Sequence, residues 1–194
     1  MGQYYKPVMV TEKGKVKVFN REVDGEYEMA KIMEHSWFDN IMVNTFCNEL
    51  LNKQVKLAWV GDYADEYERG ERKPNNLTND EIRWLVKQRK RKGRGMKFRP
   101  LAVRYTLLVN HTKKEFIDMY DYQEENRDKD GWCIHPLPIL TAVGNGFGGG
   151  DYWGANQDLV GSWALDCIEL VSCEKAGSLI SQGYESKIYK FKEN

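Results

Sequence analysis

Between Gly144 and Gly154 six of eleven residues are glycine, out of seventeen in the whole chain. Glycine loses more backbone freedom on folding than any other residue, and it weakens a helix or strand that contains it. No regular element can run through this window, so the fold must be assembled from the segments before and after it. The residues between the glycines are polar or aromatic: Asn145, Phe147, Asp151, Tyr152 and Trp153. A loop this costly in entropy persists where its shape is needed.

The segments on either side carry clear periodicities. Residues 3–11 and 15–19 flank the turn-forming Glu12, Lys13 and Gly14, which predicts an opening β-hairpin. Met29, Ile32 and Met33 predict a first helix over residues 26–34. Asp39 or Asn40 is placed to cap a second helix, in which Met42, Phe46 and Leu50, with Val43, Cys47 and Leu51, share one apolar face. Residues 55–60 read as an apolar strand. Thr78 followed by Glu81 is a capping-box pattern that opens a third helix. Residues 101–109 and 115–120 predict a second hairpin around Asn110–Lys113. Residues 121–130 read as an acidic loop, and 163–171 and 187–191 as further strands. The whole predicts an α+β fold: a mostly antiparallel sheet built from hairpins, with two or three helices packed on one face and residues 1–194 forming a single domain.

Charge and cysteine usage narrow the functional classes. The 29 basic and 29 acidic side chains cancel to a net charge of zero, so no global field favours nucleic acid or a membrane surface. No apolar run is long enough to span a bilayer, and no leader sequence is evident. Cys47, Cys133, Cys167 and Cys173 show no C-x-x-C spacing and read as reduced thiols, which points to the cytoplasm.

Four constellations carry chemistry. The glycine window can turn several backbone N–H groups towards one anion. Gly144, Gly146 and Gly149 match G-x-G-x-x-G, but residues 150–154 make a poor helix start and no Lys completes a phosphate loop. The bland alternative is a wide turn pinned by Tyr152 and Trp153. At the end of the apolar strand, Asp62 and Asp65 could join Asp151 in a divalent-metal site for hydrolysis or phosphotransfer. Against that, aspartates also form simple turns. His35, His111 and His135 would suffice as a three-histidine zinc site, with Cys133 near by, yet no spacing links them. One histidine as a hydrogen-bonding ligand residue is the simpler reading. Residues 87–99 hold eight basic side chains in thirteen, and with Trp84 and Phe98 they form a candidate nucleic-acid or protein interface.

Taken together, MGQYYK at Met1, MEHSW at Met33, WVGDYAD at Trp59, LVNHTKKEFID at Leu108, IHPLPILTAVGNGFGGGDYWG at Ile134 and VGSW at Val160 resemble an uncharacterised family of small proteins from bacteria and their phages. The resemblance covers nearly the whole chain. It implies a standalone cytoplasmic protein, encoded by a phage or prophage, and it transfers no site residues.

The leading expectation is therefore a soluble protein that binds a small polar ligand, nucleotide- or phosphate-bearing, through the glycine-rich loop. His35, Asp62, Asp65, His111, His135, Asn145, Gly146, Gly149, Asp151 and Tyr152 form the expected binding set. A metal-dependent hydrolase or phosphotransferase and an interaction module on residues 87–99 are the alternatives.

Overall fold

The structure, a computed structural model, describes residues 2–23, 26–28, 30–65, 77–96 and 106–191, with the backbone alone for 21–23, 26–28 and 96. In chain order the elements are β1 (Tyr5–Thr11), β2 (Val16–Val23), β3 (Glu26–Glu28), α1 (Ile32–His35), α2 (Ile41–Leu50), β4 (Val55–Gly61), α3 (Asn79–Arg89) and β5 (Arg94–Met96). They continue with β6 (Thr106–Asn110), β7 (Glu115–Asp118), α4 (Met119–Asn126), α5 (Pro136–Leu140), β8 (Ala142–Val143), β9 (Cys167–Ser172), α6 (Ala176–Ser181) and β10 (Glu185–Ser186). The strands join in the order β10-β7-β6-β9-β4-β1-β2-β3, with β5 added to β2 and β8 to β4.

The α+β class holds, but the sheet is mixed rather than mostly antiparallel. The long pairings of β1, β2, β4, β6, β7 and β9 are antiparallel, whereas β5, β8 and β10 join in parallel. These three added strands are two or three residues long. Each returns to the sheet after an intervening helix or long loop rather than through a hairpin, and such a crossover is what parallel pairing requires. Six helices, not two or three, lie among the described residues.

Helices also cover both faces rather than one. β4 is buried at every residue except Lys56, the sign of a strand packed on both sides. Leu57 and Trp59 point into the larger core with Phe46, Cys47 and Leu50 of α2. Ala58 and Val60 point the opposite way, onto Ile82, Leu85 and Val86 of α3. The same alternation splits β6, with Leu108 in the larger core and Leu107 and Val109 in a third cluster beneath Leu179 of α6. Pro7 has no N–H to give, and it sits one residue before β1 starts to pair with β2.

The capping expectations are met locally. Asn40 Oδ1 accepts from the N–H of Met42 at 3.0 Å and of Val43 at 3.4 Å. The Thr78–Glu81 box closes in both directions. Other expectations give way. Residues 26–28 form the short β3 and residues 32–35 the four-residue α1 where one helix over 26–34 is expected, and Met29 lies outside the described residues. The acidic segment after β7 is helical over Met119–Asn126, because Asp118 caps it through Tyr120 N–H at 2.9 Å. Residues 187–191 pack through Tyr189 and Phe191 without forming a strand. The expected strand over 101–109 lies partly outside the described residues. No disulfide joins the four cysteines, and no helix among the described residues is long and apolar enough to cross a membrane.

Candidate functional site

The glycine-rich loop closes around one of its own side chains. Asp151 is 2% exposed. Its Oδ2 accepts from the backbone N–H of Gly146 at 2.7 Å, Phe147 at 2.9 Å and Gly148 at 2.9 Å. Its Oδ1 accepts from the Tyr5 hydroxyl at 2.7 Å, and Gln3 Nε2 reaches both oxygens at 2.9 Å. Successive N–H groups converging in this way form an anion-binding nest, and here the anion is covalently part of the chain. A buried carboxylate is tolerated only when hydrogen bonds or an ion pair replace its lost hydration. Five donor groups do so.

Glycine is required here for two separate reasons. Gly146 has a φ of 101°, a conformation that favours a residue without Cβ. At Gly148 a Cβ would lie 2.5 Å from Gln3 Cβ and 2.8 Å from Gln3 N, so the loop packs directly against the N-terminal segment.

Gln3 is the hub of this region. It is fully buried, and besides Asp151 its amide donates to the Gly144 carbonyl and the Tyr5 hydroxyl. Its Oε1 accepts from Tyr63 N–H at 3.0 Å, and its own N–H donates to the Gly149 carbonyl at 2.8 Å. Asn145 closes the loop from inside, with Oδ1 accepting from Tyr152 N–H and Nδ2 donating to the Tyr152 carbonyl. Tyr152 is buried, and its hydroxyl donates to the Ala155 and Phe191 carbonyls.

The remaining expected residues divide into separate places. Asp62 extends the β1–β4 pairing by one step, donating its N–H to the Tyr4 carbonyl and accepting from Tyr4 N–H at 2.9 Å. Its second oxygen lies 3.9 Å from Arg89. Gln3, through Tyr63, therefore connects the neighbourhood of Asp62 to the glycine loop. Asp65 is exposed. His35 accepts from Lys31 N–H through Nδ1 and stacks on Trp37 at 6.3 Å.

His135 caps α5 by accepting from Leu137 N–H at 3.1 Å through Nδ1, which leaves the proton on Nε2, 3.6 Å from Cys47 Sγ. Burial holds this imidazole neutral, with its pKa lowered to about 3. Burial likewise pushes the thiols of Cys47 and Cys133 up to about 12, so neither has thiolate character. His111 stands on the β6–β7 turn and contacts Tyr184 and Glu169.

Among the described residues no three His, Cys, Asp or Glu side chains are grouped closely enough to hold a metal ion. The set Asp62, Asp65 and Asp151 in particular does not form one, because Asp151 is enclosed and Asp62 is engaged with Tyr4. The basic run is also divided. Arg89 donates to the Val60 and Tyr4 carbonyls, Arg91 donates to Gln88, and Arg94 lies in β5. Residues 97–99 are outside the described set.

A different place combines open space with uncommitted charge. Where the β1–β2 hairpin turn meets the segment before β4, a cleft of about 590 Å³ is lined by Lys13, Lys15, Lys17 and Lys53, with Glu12 and Glu169. Met9 and Val55 add apolar wall, and Asn52 and Gln54 add amides. Four lysines against two glutamates leave a formal surplus of two positive charges. Among the described residues none of these lysines has an ion-pair partner. A second cleft of about 300 Å³ adjoins it, sharing Glu12 and Gln54 and reaching Lys56 and Cys167. The sequence carries only a local signal for this site, three lysines within five residues: Lys13 stands in the turn, Lys15 just before β2 and Lys17 in β2. Lys53 and Glu169 join only through the fold.

Comparison of the chain with models of protein families, with curated proteins and with solved structures returns no match.

Proposed function

We propose that this protein binds a compact, phosphate-bearing polyanion in the lysine-lined cleft. The observation that carries the reading is the pairing of an open volume of about 590 Å³ with four lysines that have no anionic partner among the described residues. That volume falls within the usual range of small-ligand sites, about 300–1,000 Å³. The wall includes no aromatic side chain among the described residues, so it offers no stacking surface for a base. Charge and the two amides do the recognising, and the ligand's phosphates matter more than any nucleobase it bears.

The glycine-rich loop supports this reading indirectly. Its converging N–H groups, those of Gly146, Phe147 and Gly148, are committed to Asp151, so it serves as framework. We assign the protein to the cytoplasm, where its four unpaired thiols stay reduced. In the setting that the resemblance implies, it acts as a phage or prophage accessory factor that withholds a phosphorylated host metabolite. Titration calorimetry with tripolyphosphate at low and high salt tests the reading. Binding that weakens as salt rises and is lost in a Lys15→Glu/Lys17→Glu double variant supports it. No binding of tripolyphosphate by the folded wild-type protein at low salt refutes it.

A further inference from the structure

Between Ile82 and Met96 seven side chains are basic and none is acidic. The fold sorts them. α3 buries Ile82, Leu85 and Val86 against Val8, Val18, Ala58 and Val60 of the sheet. Arg89 turns inward and gives its guanidinium to the Val60 and Tyr4 carbonyls. Arg83, Trp84 and Lys87 lie on the exposed face, and Lys90, Arg91 and Lys92 prolong it. The chain keeps coiling past the helix end, with the Lys90 N–H on the Val86 carbonyl and the Arg91 N–H on the Gln88 carbonyl. Gly93 then packs against Asn20 of β2, where a Cβ would clash. With the Thr78 capping box at one end and Gly93 at the other, the basic face is held in place.

A solvated helix surface gains from opposite charges three or four residues apart, and like charges at that spacing destabilise it. Here Arg83 and Lys87 stand four apart, as do Lys87 and Arg91. The acids of the helix, Asp80 and Glu81, both lie in its first turn. Glu81 is engaged in the capping box, and Asp80 makes an exposed ion pair with Arg83 at 3.2 Å, the kind of pair that contributes little and that another anion can replace. Among the described residues Lys87, Lys90 and Lys92 have no anionic partner. The helix dipole favours cations in the last turn, which accounts for Lys87 but not for Arg83 in the second turn or Lys92 beyond the end.

We propose that this face binds the phosphate backbone of single-stranded nucleic acid, with Trp84 stacking on a base. From Arg83 to Lys90 the cations span roughly 10 Å along the axis. Trp84 is 36% exposed and stands one turn before Lys87, so its ring lies among them. Cations that track a backbone, interleaved with an aromatic ring, make a single-strand surface, whereas a duplex keeps its base faces covered. Protein interfaces are depleted in lysine, and a helix that lies on a membrane needs a free apolar face, which α3 has committed to the sheet. The surface is separate from the lysine-lined cleft. Lys17 pairs with Met9 and stands on the side of the sheet away from Val8 and Val18, against which α3 packs.

Fluorescence anisotropy with a labelled oligothymidylate of about 12 nucleotides tests the inference. For the wild-type protein, the logarithm of affinity should fall with the logarithm of salt concentration at a slope of about −2 to −3, as expected for three or four neutralised phosphates. A duplex of the same length should bind more weakly. Lys87→Glu/Lys90→Glu should lower affinity at least roughly tenfold and flatten the slope by about 1. Trp84→Ala should lower it roughly tenfold with the slope unchanged. In the wild-type protein the Trp84 indole N–H resonance should shift when the oligonucleotide is added, a readout that needs no variant to fold. Lys15→Glu/Lys17→Glu should bind the oligonucleotide as wild type does, and Lys87→Glu/Lys90→Glu should still bind tripolyphosphate, so this inference and the proposed function stand or fall separately. No binding of the oligonucleotide at low salt, a duplex bound as tightly, an unmoved indole resonance, or wild-type affinity in Lys87→Glu/Lys90→Glu overturns the inference. So does loss of binding in Lys15→Glu/Lys17→Glu, which would put the strand in the cleft. Binding of polyglutamate or phosphatidylserine vesicles in place of the oligonucleotide overturns it as well.

Discussion

The glycine-rich loop and the lysine-lined cleft are both built to hold negative charge, and they differ in whether that charge is already present. In the loop, the N–H groups of Gly146, Phe147 and Gly148 meet on the carboxylate of Asp151. Gln3 and Tyr5 complete its coordination. In the cleft, four lysines surround open volume and have no acidic partner among the described residues. Donors that converge are not sufficient for a ligand site; they must also be vacant. The loop is thus a bracket tying residues 144–152 to the N-terminal segment, and the cleft is where an outside anion has room.

The largest expected effect lies in the loop. Asp151→Ala removes the acceptor shared by three backbone N–H groups, the Gln3 amide and the Tyr5 phenol, and should cost about 3–5 kcal/mol of stability. Urea denaturation measures it. A loss below about 1 kcal/mol would break the comparison, because a vacant ligand loop tolerates removal of one wall residue far better.

A comparable effect, confined to acid, should come from His135. The unfolded chain binds a proton at this ring from about pH 6.5 downward, whereas the folded chain excludes it until about pH 3. Stability should therefore fall as pH drops through that window, by a few kcal/mol in order of magnitude. His135→Asn retains a helix-capping acceptor without a titratable ring. Denaturation across pH should show a shallower acid limb in the variant, and identical limbs would contradict a buried neutral histidine.

Gly148→Ala comes next. Its Cβ would meet Gln3 at 2.5 Å, and overpacking of this kind costs about 1–3 kcal/mol. A thermal midpoint equal to that of wild type would show that the loop is not pressed against the N-terminus.

The smallest stability effect belongs to the cleft. Lys15→Glu/Lys17→Glu should change unfolding free energy by no more than about 0.5 kcal/mol. The same change should lower tripolyphosphate affinity by roughly tenfold or more, as surface charge reversal acts on a ligand rather than on the fold. The two regions would then be separated in both directions, one carrying stability and the other binding.

How much of the molecule is legible in its sequence depends on how local each cause is. The opening hairpin, the Asn40 cap and the Thr78–Glu81 box depend on residues within a few positions of one another, and they stand as expected. The apolar run of β4 is recognisable, but its burial on both faces depends on α3 arriving from residues 79–89. The short parallel strands β5, β8 and β10 have no period of their own to detect. At the loop, the glycines signal several N–H groups in need of an anion, and Asp151 stands beside them in the chain. That Asp151 itself meets this need depends on Gln3 and Tyr5, almost 150 residues away. A lone glutamine near an N-terminus carries no periodic signal, so the hub of the region is invisible in the sequence. The cluster of Lys13, Lys15 and Lys17 around the hairpin turn can be read there, but the wall at Lys53 and Glu169 is assembled by the sheet.

The most direct measurement is an amide NMR titration of the isotopically labelled wild-type protein with tripolyphosphate. The account predicts progressive shift changes at residues 11–17, 52–56 and around Glu169, with the amides of Gly146, Phe147 and Gly148 unmoved. Changes centred on residues 144–151, with residues 11–17 silent, would contradict it.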